Sequence, residues 1–188
     1  MAGGSRSRSS RTPAAPHSLV LLALVTLTTA GKASAATFQV TNLCPFTVWP
    51  AAIPVGGGTQ LEPGQTWLLK VPAETTGGRV WGRTGCRFAP SGHGWCATGD
   101  CAGALRCQLS GKPPATLAEF TIGAGAADYY DLSVVDGFNL PMDLRCDGEA
   151  HTIRCRNAGC PDANHRPGEG KVRSCKADSD YHVIFCPK

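Results

Sequence analysis

The sequence predicts an all-β protein, a flattened β-sandwich stapled by disulfides, and three observations carry that prediction. No window longer than about ten residues shows the 3.6-residue spacing of an amphipathic helix with recognisable caps. Glycine (23 residues) and proline (14 residues) are abundant in the 188-residue chain and punctuate short apolar stretches of period two. Ten cysteines are present, and Cys86, Cys96, Cys101 and Cys107 crowd into the turn-rich stretch from Trp81 to Cys107. These four lie too close together among Gly, Pro and Ser to share one helix, and they read as paired staples of looped β-structure. Cys96-x4-Cys101 with His93 nearby can also hold Zn²⁺, but a secreted chain favours disulfides.

Secretion is read from the first 35 residues. Arg6, Arg8 and Arg11 precede the apolar run Leu19 to Leu27, which is followed by Ala33-Ser34-Ala35, the pattern of a signal peptide cleaved after Ala35. The chain thus divides into a signal over 1–35 and one domain over 36–188. The apolar run, about nine residues, falls short of the roughly 20 needed to span a bilayer, and no later segment comes closer, so stable membrane insertion is not expected. About 153 residues remain, enough for one domain with a real core. Arg6, Arg8, Arg11 and Lys32 carry the whole formal excess of +4, which leaves the domain near neutral. It gives no reason to expect nucleic acid as a partner. Charge is nevertheless segregated: Glu119, Asp128, Asp131, Asp136, Asp143, Asp147 and Glu149 lie between the mostly basic stretches Lys70 to Lys112 and Arg154 to Lys176.

Along the chain, Phe38 and Val40 alternate with Gln39 and Thr41, which predicts a first strand over Thr37 to Leu43, and Phe46 to Trp49 predicts a second after the Cys44-Pro45 break. Pro50 and Pro54 bound that segment, and Gly56-Gly57-Gly58 is expected as loop because three glycines lose too much chain entropy inside an element. Further strands are expected over Thr66 to Val71, Arg79 to Arg83, Thr116 to Ile122, Tyr129 to Val135 and Tyr181 to Phe185. Short strands separated by turn signals indicate a sandwich or flattened barrel. Ten cysteines allow roughly 945 pairings, so counting alone does not fix the bridges. A bridge from Cys44 to Cys186 would close a loop of about 140 residues, worth near 5 kcal/mol in the chain-entropy model, and would staple the terminal strands together.

The stretch Gly92-x-Gly94-x-Cys96-x-Thr98-Gly99-Asp100-Cys101-x-Gly103-x3-Cys107 resembles the signature of the thaumatin-like family. Supporting matches run along the chain, among them Asn42-x-Cys44-Pro-Phe-Thr-Val-Trp49, Gly64-Gln-Thr-Trp67, Asp136-Gly-Phe-Asn-Leu-Pro-Met142 and Cys160-Pro-Asp-Ala163. The resemblance is to the small ten-cysteine type, in which the disulfide-rich second domain is much reduced. It implies the pairs Cys44 with Cys186, Cys86 with Cys96, Cys101 with Cys107, Cys146 with Cys175, and Cys155 with Cys160. It also implies a plant defence protein, secreted to the apoplast, that binds β-1,3-glucan or inhibits fungal glycanases such as xylanase.

The residues themselves point to one region. Pairing positions whose numbers sum to about 250 across a connection near Gly125 puts Phe120 opposite Tyr130 on one face and Glu119 opposite Asp131 on the other. Like charges facing each other across a sheet call for a cation, a proton or a ligand. The resemblance adds Arg79 and Asp136 to Glu119 and Asp131 as the lining of an acidic cleft, with Glu169 as a candidate for a missing aspartate. Strand alternation, however, sets Asp136 on the face opposite Asp131. Facing carboxylates are also the machinery of glycoside hydrolysis, so Glu119 and Asp131 would be the catalytic pair if any hydrolysis occurs; an ion-pair network or sugar-binding floor is the plainer reading.

Among the aromatics, Trp49, Trp67, Trp81, Trp95, Tyr129 and Phe138 can stack on sugar rings, and only Trp95 and Phe138 have loop context. Asp100 is read as a turn-forming residue that accepts from backbone amides. No serine-hydrolase, phosphate-loop or metalloprotease motif is present, and no cofactor or metal is expected. Three readings follow: glucan binding by the cleft of a monomeric protein, inhibition of a fungal glycanase through loops outside the cleft, and weak endo-β-1,3-glucanase action.

Overall fold

The computed structural model describes residues 1–4, 35–123, 125, 127–177 and 179–188. The expected signal segment therefore lies, apart from residues 1–4 and Ala35, outside the described residues. The described residues contain strands, turns and bridges and no helix. One sheet of five strands has the order β11 (Thr152–Cys155), β10 (Met142–Cys146), β13 (Tyr181–Phe185), β1 (Ala35–Asn42) and β4 (Thr66–Pro72). A second, of six, has the order β12 (Arg173–Lys176), β9 (Ala127–Ser133), β8 (Leu117–Thr121), β5 (Gly78–Arg83), β2 (Trp49–Ile53) and β3 (Gly57–Gly58). A ribbon of β6 (Arg87–Phe88) and β7 (Gly94–Trp95) completes the set.

Period two decides what lies between the sheets. Phe38 and Val40 of β1, Tyr181, Val183 and Phe185 of β13, and Met142 and Leu144 of β10 are fully buried. They meet Val80, Ala118, Phe120, Tyr130 and Leu132 of the six-stranded sheet in one cluster. Phe38 joins the layers directly, with ring centroids 4.4 Å from Phe120 and 4.6 Å from Tyr181. Side chains of alternate positions filling the space between two sheets define a sandwich. β1 and β13 are the parallel pair, in register from Phe38 with Tyr181 to Asn42 with Phe185, so both ends of the domain sit in the middle of one sheet.

The outer face of the six-stranded sheet is divided. At one end Trp81, Leu117 and Ala51 are covered by the Cys-rich segment in a second cluster with Cys101, Cys107 and Ala115. Arg83 is fully buried there. Its guanidinium donates to the carbonyl oxygens of Trp49, Ala104 and Leu105 at 2.7 to 2.9 Å. Burial pulls its pKa down to about 10, so it remains a cation at neutral pH. Asp100 accepts from the amides of Cys96 and Gly103, as a turn-forming aspartate does.

The disulfides join Cys44 to Cys186, Cys86 to Cys96, Cys101 to Cys107, Cys146 to Cys175, and Cys155 to Cys160. Cys146 lies in β10 and Cys175 in β12, so this bridge ties the two sheets together. With Cys96 and Cys101 both in disulfides, the Cys-x4-Cys spacing holds no zinc site.

Two expectations need correction. The second strand is Trp49–Ile53, not Phe46 to Trp49, and it runs through Pro50. Phe46 is 46% exposed and its carbonyl is held by the buried Asn42 side chain. Pro50 is tolerated because its carbonyl, and hence its missing N–H, faces the β3 side, where the ladder covers only Ala51 and Ala52. Gly57 and Gly58, expected as loop, pair with Ala52 and Ala51 as the edge strand β3. A Cβ on Gly58 would lie 2.6 Å from the Leu105 oxygen and 2.7 Å from Arg83 Nη2, so close approach of backbone, not chain freedom, explains the glycine.

Candidate functional site: a carboxylate-lined hollow on the sheet

Beyond the covered end, the same outer face is bare. Arg79, Glu119 and Asp131 lie two residues before Trp81, two after Leu117 and two before Ser133, so alternation puts them on the outer face. The register sets Arg79 opposite Glu119 and Glu119 opposite Asp131, forming one row across β5, β8 and β9. Arg79 Nη2 stands 3.6 Å from Glu119 Oε1, and its Nη1 donates to Ser110 Oγ at 3.1 Å. Arg79 Nε is buried without a hydrogen-bond partner. Arg79 therefore supplies the cation that the facing carboxylates require, but only to the nearer of them.

Asp131 is stabilised differently. Asn164 Nδ2 donates to Asp131 Oδ1 at 3.0 Å. Asn164 is itself held by backbone bonds to Leu132 and Val134 and by the Lys171 amide, which donates to its side-chain oxygen. Burial, followed by the negative charge of Glu119, pushes Asp131 up to about 6 against the weaker opposing effect of Asn164. Near that pH Asp131 gains or loses a proton beside the Arg79–Glu119 pair.

Glu119 and Asp131 border a hollow of about 280 Å³, lined also by Gly77, Gly78, Thr121, Tyr129 and Val172; Arg79 is not part of its lining. Tyr129 is 52% exposed and pairs with Thr121, one step along the sheet from the carboxylates. Its odd-numbered parity with Asp131 was the signal that places it on this face, although its strand context argued for core. Ser110, Asn164 and Val172 carry no comparable signal, because loops bring them in from distant parts of the sequence.

The other candidates do not line this hollow. Asp136 sits in the turn after β9, and its carbonyl accepts from Ala115. No hydrogen bond or ion pair among the described residues joins its side chain to Arg79, Glu119 or Asp131, and it is not part of the hollow's lining. Glu169 is turned into its own loop, where Oε2 accepts from the His165 amide and Oε1 pairs with Lys171 Nζ at 3.0 Å. These partners, the His165 amide first, hold it down to about 2. Phe138 packs against the core. Trp95 is 55% exposed on the ribbon, away from the hollow's lining. Trp81 is buried, and Trp49 and Trp67 are half-buried. Among the described residues, no group of His, Cys, Asp or Glu side chains converges to hold a metal ion.

The structure is thus an all-β sandwich stapled by five disulfides, with acidic side chains and an exposed tyrosine on the outer face of one sheet. Residues 42–180 match the model of the thaumatin family, and the chain belongs to that family. It is 57% identical over 176 residues to a thaumatin-like protein of Oryza sativa subsp. japonica, covering 93% of this chain and 98% of that one. It is 58% identical over 171 residues to thaumatin-like pathogenesis-related protein 4 of Avena sativa, covering 90% and 98%. Among solved structures, the thaumatin-like xylanase inhibitor TLXI matches with a TM-score of 0.68 and 39% identity, covering 80% of this chain and 99% of that one.

Proposed function

We propose that this protein is a secreted plant defence protein, a signal over 1–35 followed by one domain over 36–188, whose outer-sheet hollow binds fungal cell-wall β-1,3-glucan. The observation that carries the reading is the row Arg79, Glu119 and Asp131 with the exposed Tyr129 beside it. Carboxylates accept from sugar hydroxyls, the guanidinium donates to them, and an aromatic face packs on the C–H face of a pyranose ring. Membership in a family with pathogenesis-related relatives supports the defence context, and five disulfides suit an oxidising, extracellular setting. Retention on insoluble β-1,3-glucan tests it: the wild type is retained, and Tyr129→Ala and Glu119→Ala with Asp131→Ala are not. Equal retention of all three would remove the hollow from the mechanism.

Inhibition of a fungal glycanase is the second reading, favoured by the likeness to a xylanase inhibitor over nearly the whole of that protein. Its contacts would lie on loops outside the hollow, so Glu119→Ala with Asp131→Ala should leave inhibition of a fungal xylanase intact. Titration of the enzyme with no loss of its activity would refute it. Hydrolysis is the weakest reading: a carboxyl raised to about 6 facing a second acidic side chain resembles an acid and its partner, but Glu119 is already engaged by Arg79. Reducing-sugar release from β-1,3-glucan, lost in Glu119→Gln, would be its signature.

A further inference from the structure

The Cys-rich segment carries chemistry opposite to that of the carboxylate row. Between Glu74 and Glu119 the basic residues Arg79, Arg83, Arg87, Arg106 and Lys112 meet a single acid, Asp100. Both oxygens of Asp100 are taken by amides of its own turn, those of Cys96 and Gly103.

Register decides which side of the β6 and β7 ribbon is open. The guanidinium carbon of the buried Arg83 stands 5.4 Å from the centre of the Phe88 ring, so the Phe88 face is the inner one. Arg87, one residue earlier, therefore points outward, and it pairs directly with Trp95, which sets the two side by side with Cβ atoms about 5 Å apart. Trp95 is 55% exposed and Arg87 is exposed beside it. His93 shares the face of Trp95, bridges to Ala104, and lines a hollow of about 360 Å³ with Pro90, Ala104 and Arg106. Ala104 and Arg106 also line a neighbouring hollow of about 330 Å³ with Gln108 and the exposed Leu109. Neither lining contains an acidic residue, and among the described residues neither Arg87 nor Arg106 has an ion-pair partner.

An open guanidinium beside an open indole suits a sugar ring that bears a carboxylate. The C–H face of the ring packs on the indole, and the guanidinium takes the carboxylate in a bidentate pair. A neutral glucan would leave that charge unanswered. A protein partner would need roughly 800 Å² of this surface, and from Trp81 to Lys112 the large exposed hydrophobic side chains are Trp95 and Leu109 alone. A nucleic-acid strand draws its affinity from more phosphate contacts than Arg87 and Arg106 supply.

We propose that the ribbon face of Arg87 and Trp95 is a binding site for an acidic polysaccharide, a chain of uronic acid units that continues past His93 toward Arg106. The site is separate from the hollow over Glu119 and Asp131 and does not depend on what that hollow binds.

Calorimetry of the mature protein with an α-1,4-linked galacturonate hexamer tests it. The wild type should bind the hexamer, and should bind its methyl ester, which keeps the rings and removes the charges, at least about tenfold more weakly. Trp95→Ala and Arg87→Gln should each weaken binding of the acid form at least about tenfold, and Arg106→Gln by a smaller factor. Acid and ester are compared on the wild type alone, so that result decides even if a variant melts early. Equal affinity for acid and ester, or undiminished binding by Trp95→Ala, would overturn the site. So would a wild type that binds no hexamer, or one that binds polyglutamate or oligothymidylate of matching charge as tightly, which would assign the ribbon to acidic proteins or to nucleic acid instead.

Discussion

Asp131 is where sheet geometry and electrostatics pull in opposite directions. The ladder sets it across from Glu119, and burial together with that neighbour raises it from 3.8 to about 6. The folded chain therefore keeps this proton to higher pH than the unfolded chain does. Between about pH 4 and pH 6 folding takes up a proton, and this contribution to stability falls as pH rises through the window. Each unit corresponds to about 1.4 kcal/mol, and solvent screening at a half-open site reduces the total cost at neutral pH to about 1–2 kcal/mol. Asp131→Asn keeps an acceptor for Asn164 but removes the charge. It should be more stable than the parent by that amount at pH 7 and equal to it near pH 3.5, as read from denaturant unfolding across the range. A stability difference that stayed constant with pH would mean that Asp131 binds its proton equally well in the folded and unfolded chains, and that folding does not raise it.

Among the elements, the edge strand β3 shows how a local rule can be right about propensity and wrong about structure. Glycine is a poor strand former, yet Gly58 lies where the backbone meets the Leu105 oxygen and the Arg83 guanidinium too closely for any side chain. Gly58→Ala should displace Arg83 from its carbonyls and cost about 2 kcal/mol or more, since several buried acceptors lose their donor at once. Thermal unfolding measures this, and an unchanged midpoint would show that β3 can move aside. The β8 and β9 hairpin is the opposite case: its register, and with it the facing of Glu119 and Asp131, follows from alternation and turn position alone. Strands β10, β11 and β12 left little trace because they are four or five residues long, carry charged or cysteine positions, and owe their place to pairing with β13, β10 and β9 respectively. The same distinction holds for the site. Arg79, Glu119 and Asp131 sit on paired strands and were legible, whereas Ser110, Asn164 and Val172 depend on how loops return to the sheet.

For the molecule as a whole, closure depends on β1 and β13 being parallel neighbours at the centre of one sheet. Nothing but the rest of the domain connects them, and Cys44 with Cys186, 142 residues apart, locks their ends together. Cys146 with Cys175 ties that sheet to the other, so these two bridges constrain the sandwich while the remaining three constrain local loops. A chain rich in glycine and proline has much conformational entropy to lose on folding, and each native bridge typically contributes about 2–5 kcal/mol against a total stability of about 5–15 kcal/mol. The expected order of thermal midpoints follows. The oxidised protein melts highest, and Cys44→Ser with Cys186→Ser melts markedly lower. Cys155→Ser with Cys160→Ser, which opens a short loop, lies between them, because less entropy is restored to the unfolded chain. Full reduction removes several bridges at once and should leave no cooperative transition at about 37 °C. Scanning calorimetry of the four species at one pH and concentration decides the matter: a reduced protein that melts cooperatively near the oxidised midpoint would show that the packing of Phe38, Phe120 and Tyr181 between the sheets holds the sandwich without its staples.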